Sequence, residues 1–198
     1  MTTKSALTTR QHQRSTTVDA IAYLKSDHRE VERLFKAFEK AGDKAVRTKR
    51  KLVDEIIAAL SQHAAIEEQF LYPTARREVP AATDQVLESL EEHHVAKWLL
   101  SELLDMDPSD ERFVAKTTVL MENVRHHVKE EENDLFPQLR QKLAKKELIE
   151  LGDKLREAKK LAPQRPHPRS PDEPPNNLIV GVVAGAVDRA RAKVKSKL

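Results

Sequence analysis

Two stretches of this chain repeat one another without a gap, 64 residues apart: HAAIEEQFLYP at 63–73 and HVKEEENDLFP at 127–137. Each reads His, three residues, Glu-Glu, two residues, Leu, an aromatic, Pro. The segments SDHREV (26–31) and EEHHVA (91–96) match as well, at an offset of 65. The chain is therefore two copies of one helix-pair unit of about 60 residues. Each unit has one His on its first helix and His-x-x-x-Glu on its second. Neither can bury its apolar face alone, so the two are expected to pack face to face about a pseudo-twofold axis.

Apolar residues at helical spacing fill in the units. Ile21, Leu24, Val31, Phe35 and Phe38 predict a first helix that starts near Val18, with Thr16 and Asp19 as a capping box, and ends at Gly42. The second runs from about Lys44 to Tyr72, where Pro73 is expected to stop it. The third covers roughly 81–104. Asp107-Pro108 reads as an N-cap with proline at the first position of the fourth, which reaches Pro137. A shorter helix follows at about 145–161. With 4 glycines and 4% aromatic residues among 198, a sandwich or barrel is excluded. The fold expected is all-α.

After Ala162 the character changes. Six prolines in the thirteen residues PQRPHPRSPDEPP make a semi-extended linker. The division expected is a basic N-terminus (1–17), the helical domain (18–161), the Pro-rich linker (162–177) and an apolar-then-basic segment (178–198). That last segment reads as a short amphipathic helix. It could dock on a membrane surface, on a partner's groove, on the shell of a compartment or on the bundle itself. Its apolar run, Leu178 to Val187, is ten residues, against about 20 for a membrane span. The N-terminus has no apolar core of a secretory signal. A cytoplasmic protein is expected. The net charge of +3 belongs to the ends: Lys4, Arg10 and Arg14 at one, and five cations against Asp188 at the other. The body is mildly acidic, which argues against nucleic acid as its partner.

Residues four apart share a helix face, so His63 projects with Glu67 and His127 with Glu131. These are core faces. His63 is in phase with Ile56 and Phe70, His127 with Leu120 and Val124, His28 with Leu24 and Val31, His93 with Val86 and Leu100. Six polar groups in one bundle centre are costly unless something satisfies them. The chain has no cysteine, so any site uses imidazole and carboxylate alone. Two cations held by His28, His63, Glu67, His93, His127 and Glu131 would satisfy all six. This donor set suits iron, with manganese or zinc less favoured. His94 and His126 lie about 100° round their helices and are expected at the surface. His12 and His167 fall in the tails.

These residues resemble the hemerythrin-like, or HHE cation-binding, domains. The match is H…HxxxE…H…HxxxE over roughly residues 18–145. The resemblance implies an up-down four-helix bundle around two non-haem iron ions with an oxo or hydroxo bridge. Glu67 and Glu131 would bridge, with the four histidines as terminal ligands. The oxygen-carrying members have a fifth histidine four residues after the third-helix one, and here that position is Lys97. Glu32, its equivalent in the first repeat, could fill the vacancy or pair with Lys97, and the pairing is expected. Glu132 and Tyr72 are weaker candidates; Tyr72 lies about 180° from His63 on an ideal helix. The function expected is reaction with, or binding of, oxygen, peroxide or nitric oxide in oxidative or nitrosative stress, with catalase-like or peroxidase-like turnover left open. The alternative is an iron- or oxygen-sensing or iron-storage module acting through its C-terminal segment.

Overall fold

The computed structural model describes residues 18–172 and residue 174, and the expectations placed on 1–17 and 178–198 lie outside them. Among the described residues there are seven α-helices and no strand: α1 (Ala20–Lys40), α2 (Val46–Ile66), α3 (Tyr72–Glu78), α4 (Thr83–Asp105), α5 (Phe113–Glu130), α6 (Phe136–Lys142) and α7 (Lys145–Leu161). Single π turns, π1 (Glu67–Leu71) and π2 (Glu131–Leu135), join α2 to α3 and α5 to α6. The second and fourth of the expected long helices are thus each one rod with a π turn inside it.

Those turns overrule the expectation that Pro73 and Pro137 end their helices. A proline inside an α-helix removes one hydrogen bond and collides with the carbonyl four residues back. A π turn ahead of it shifts the bonding to five residues and opens that carbonyl's position. The prolines follow the π turns, in the first turns of α3 and α6, and the rods continue to Glu78 and Lys142. Two other starts differ from expectation. Asp19 itself caps α1, accepting from the Ala22 amide at 2.8 Å, while Thr16 is outside the described residues. Asp107 opens a turn rather than a helix, because its side chain captures the Ser109 amide at 2.8 Å. α5 then begins at Phe113.

α1 packs on α2, and α4 on α5, so each repeat is one antiparallel pair. Two hydrophobic cores form, one at each end of the bundle. The first joins Val31, Phe35, Phe38, Ile56, Leu100 and Phe113. The second gathers Ile66, Leu71, Leu135 and Phe136 around the π turns. α7 covers that second core with Leu148, Leu151 and Leu155, each worth about 1.5–3 kcal/mol when fully buried. Gly152 lets α7 touch the start of α1, since a Cβ there would lie 2.7 Å from the Val18 carbonyl oxygen. The polar layer sits between the two cores. Among the described residues no helix is long and apolar enough to cross a membrane.

Candidate metal centre

His28, His63, Glu67, His93, His127 and Glu131, the six residues singled out by the repeat, are all buried in this layer. α1 and α4 each supply one imidazole. α2 and α5 each supply an imidazole near their C-terminal ends, and the carboxylates open the π turns. The atoms converge in two groups. His28, His63, Glu67 and Glu131 form one, and Glu67, His93 and His127 the other. Glu67 belongs to both: its Oε1 is 3.1 Å from His63 Nε2 and its Oε2 is 3.5 Å from His93 Nε2. Glu131 Oε2 likewise stands 3.4 Å from His28 Nε2 and 3.7 Å from His127 Nε2.

Within each group two imidazoles turn the same nitrogen toward one point. His28 Nε2 lies 3.1 Å from His63 Nε2, and His93 Nε2 lies 3.2 Å from His127 Nε2. Two donors at about 2.1 Å from one cation and at right angles are about 3 Å apart, so the spacing fits a shared metal ion in each group. Both oxygens of Glu67 and Oε2 of Glu131 are buried without a hydrogen-bond partner. Orphaned carboxylate oxygens cost several kcal/mol, of order 1–3 each or more. A pair of cations relieves all of them at once.

A ring of carboxylates sets the tautomers from outside. His28 Nδ1 donates to Glu132 at 2.8 Å, His93 Nδ1 to Glu68 at 3.0 Å, and His127 Nδ1 to Glu92 at 2.7 Å. His63 Nδ1 faces Asp27 Oδ2 at 3.5 Å, with Lys159 of α7 on the same oxygen at 2.6 Å. With Nδ1–H held outward, each Nε2 lone pair is aimed inward. The ring obeys the repeat. Asp27 and Glu92 serve the HxxxE histidine of their own pair, and Glu68 and Glu132 serve the first histidine of the opposite pair. Cations stand behind it: Lys25 by Glu132 at 3.1 Å, Lys97 by Glu68 at 2.6 Å and Lys159 by Asp27. The sequence signals were the acid just before each first-helix histidine and the second Glu of each Glu-Glu pair.

Metal-free, the layer holds protons instead. Burial alone would lower the His63 pKa, but the nearby Glu67 and Asp27 carboxylates outweigh it and raise it to about 10. His93 rises to about 9, where burial is outweighed by the nearby Glu67 and Glu68 carboxylates. Glu67 is driven well below the usual carboxylate range, its own burial overcome by His63 and His93.

Tyr72 corrects the helical-wheel expectation. Its hydroxyl donates to Glu131 Oε1 at 3.1 Å and lies 3.2 Å from His93 Nε2 and 3.4 Å from His127 Nε2. The extra residue of π1 turns everything after it by about 100°, which swings Tyr72 from the outside to the second group. Burial and then the charges of Glu131, Glu67 and Glu68 push its pKa well above normal, so the phenol keeps its proton in the metal-free layer. The expected Glu32–Lys97 pair does not form. Glu32 on α1 binds Arg125 of α5 at 2.9 Å, and Lys97 on α4 binds Glu68 at the end of α2. Each faces the second helix of the opposite pair, not the other first helix. Glu132 is the His28 partner and points its carboxylate at Nδ1, the outer nitrogen. His94 and His126 are exposed, as expected.

A model of the Hemerythrin HHE cation binding domain matches residues 19–139. An uncharacterized hemerythrin-like protein of Schizosaccharomyces pombe is 25% identical over 166 residues, 83% of this chain and 81% of that one. A DNA nickase of Nostoc is 28% identical over 142 residues, 72% of this chain but only 39% of that longer protein. Among solved structures, the crystal structure of a Hemerythrin HHE cation binding domain-containing protein from Mycobacterium kansasii is similar with a TM-score of 0.62 and 27% identity, covering 72% of this chain and 86% of that one.

Proposed function

The chain belongs to the hemerythrin HHE cation-binding domain family, and from that premise we propose that it is a cytoplasmic non-haem di-iron protein that binds or reacts with dioxygen, peroxide or nitric oxide under oxidative or nitrosative stress. The observation that carries this reading is the pair of ligand groups joined through Glu67 and Glu131. Carboxylates that face two imidazole pairs at once are suited to bridge two cations. An all-nitrogen-and-oxygen donor set favours iron among the redox metals.

The size of the ligand follows from the space. A cavity of about 40 Å³ lies against the imidazoles, with Val31, Leu60, Leu100 and Val124 among its walls. One water needs about 10–15 Å³, so the cavity takes a diatomic molecule or a peroxide and no metabolite. Two irons held there would supply open coordination positions and electrons for small-ligand chemistry. The chain's own residues do the rest. The four carboxylates of the outer ring hold the imidazoles in their ligating tautomer. The apolar wall keeps water from competing. The Tyr72 hydroxyl stands at the second group, where the fifth imidazole of the oxygen carriers is replaced. Bound as a ligand it would fill that place; unbound, it holds a proton beside His93 and Glu131.

Iron analysis, absorption spectroscopy and additions of peroxide or nitric oxide to the iron-loaded protein test the reading. We expect a ligand-to-iron charge-transfer band in the oxidised protein that changes on addition of peroxide, and a nitrosyl spectrum in the reduced one. Less than one iron per chain, or spectra indifferent to every ligand, would count against it.

A further inference from the structure

Outside the metal cavity lies a second, larger chamber, and one residue belongs to the walls of both. The chamber measures about 490 Å³, runs between the end of α2, α7 and the proline-rich segment, and is walled mainly by apolar groups, Phe70 and Ala158 among them. Lys97 lines it and lines the inner cavity as well, and among the described residues no other does both. The Lys97 ammonium is clamped by buried Glu68 at 2.6 Å, and Glu68 is fixed in turn by His93 Nδ1. Ser61, also on the chamber wall, is 6% exposed, and its Oγ has no hydrogen-bond partner. Buried hydroxyls are seldom left so, and this one gives the otherwise mainly apolar wall a single polar point.

We propose that this chamber is an outer binding site for small neutral apolar molecules of the dioxygen and nitric oxide class, and that Lys97 is the residue that controls their passage to the metal cavity. The inference rests on the reading of the inner cavity as the ligand site. Apolar walls draw an uncharged diatomic out of water. The lysine stem closes the way between the two spaces while its ion pair holds, and four flexible carbons let it swing aside. A histidine at this position would be tied to metal and could not move. α7 and residues 163–171, which wall the chamber, lie beyond the segment that the family model matches, 19–139.

Two probes test it on the full chain. Xenon enters dry apolar cavities, so crystals of the metal-free protein under xenon pressure should show xenon in the chamber. In the reduced, iron-loaded protein, stopped-flow absorption should show Lys97→Ala raising the nitric oxide association rate by about tenfold and Ala158→Trp, which fills the chamber from α7, lowering it by about fivefold. Lys97→Arg keeps the ion pair and should stay within about twofold of the wild type. Density for residues 178–187 in the chamber in place of xenon would overturn the proposal. So would association rates within about twofold of the wild type for both Lys97→Ala and Ala158→Trp. If the protein bound no iron or gave no nitrosyl spectrum, the functional reading would fall, and the xenon result on metal-free crystals would still decide the chamber.

Discussion

Tyr72 and Phe136 stand at the same place in the two repeats, each directly after a π turn, yet they do different things. Tyr72 sends a hydroxyl into the second ligand group. Phe136 lays its ring on His28, with centroids 5.7 Å apart and planes 9° from parallel, and brings no polar atom. Glu32 and Lys97 differ in the same way. One is tied to Arg125 on the outside, and the other stands at the cavity wall. The two halves are thus alike in the residues that could hold a cation and unlike where a ligand would meet it. Symmetry builds the site, and on the proposed reading the departures from symmetry would make the second half the reactive one.

Substitution of the shared carboxylate should break the comparison most severely. Glu67→Ala removes a donor from both groups, and iron content by elemental analysis should fall below about a tenth of the wild type. A loss confined to one iron would show that the halves do not share it.

The next effect is on pH dependence, and it has opposite signs with and without metal. His63, in the first half, and His93, in the second, have pKa values raised from 6.5 to about 10 and about 9. Their contribution to the metal-free fold is complete below about 6.5 and is lost as pH rises through 9 and 10. Thermal melting of the metal-free protein should therefore fall steadily between pH 6.5 and 10. In the loaded protein protons compete with metal, so iron affinity should rise over the same range. A metal-free melting temperature flat with pH would contradict the assignment.

Glu68→Gln and Glu132→Gln compare the two outer rings directly. Each should weaken metal binding by about 10–100-fold. Glu68 should lie at the upper end, since its side chain is 5% exposed against 29% for Glu132. Chelator competition measures both. Equal effects would mean that burial does not set the strength of this ring. A smaller change should follow from Gly152→Ala. α7 packs on the first half, on α1, α2 and π1, and the added methyl would press on the Val18 and Ala20 backbone. A loss of about 1–3 kcal/mol in denaturant unfolding is expected, with iron binding kept. Smallest is Tyr72→Phe, which removes one hydrogen bond worth about 1 kcal/mol and leaves iron content intact. It should shift the charge-transfer band, and Phe136→Tyr should not. An unchanged spectrum in Tyr72→Phe would remove the asymmetry at this position.

Much of this was legible from the periodicity of two short motifs. The helices, their pairing and the burial of six ligand-type side chains follow from apolar residues at helical spacing around His28, His63, His93 and His127. What an ideal helix hides is a change of pitch. The π turns leave no mark in composition, and the prolines after them look like helix ends. An ideal helix therefore puts Tyr72 on the wrong side, although the repeat itself carries the motif in which the turn lies. The Lys97–Glu68 pair is hidden for another reason: Glu68 is buried only by the packing of α4 against the end of α2. Asp107 shows the limit of capping signals, because one short acidic side chain can close a turn as readily as open a helix.

The central claim is that one layer of the bundle holds two irons between four imidazoles and two shared carboxylates. An anomalous difference map at the iron edge, from crystals of the full chain grown with iron, tests it most directly. The account predicts two peaks, one beside His28 and His63 and one beside His93 and His127, both within bonding reach of Glu67 and Glu131. A single peak, or peaks ligated by residues outside this layer, would contradict it.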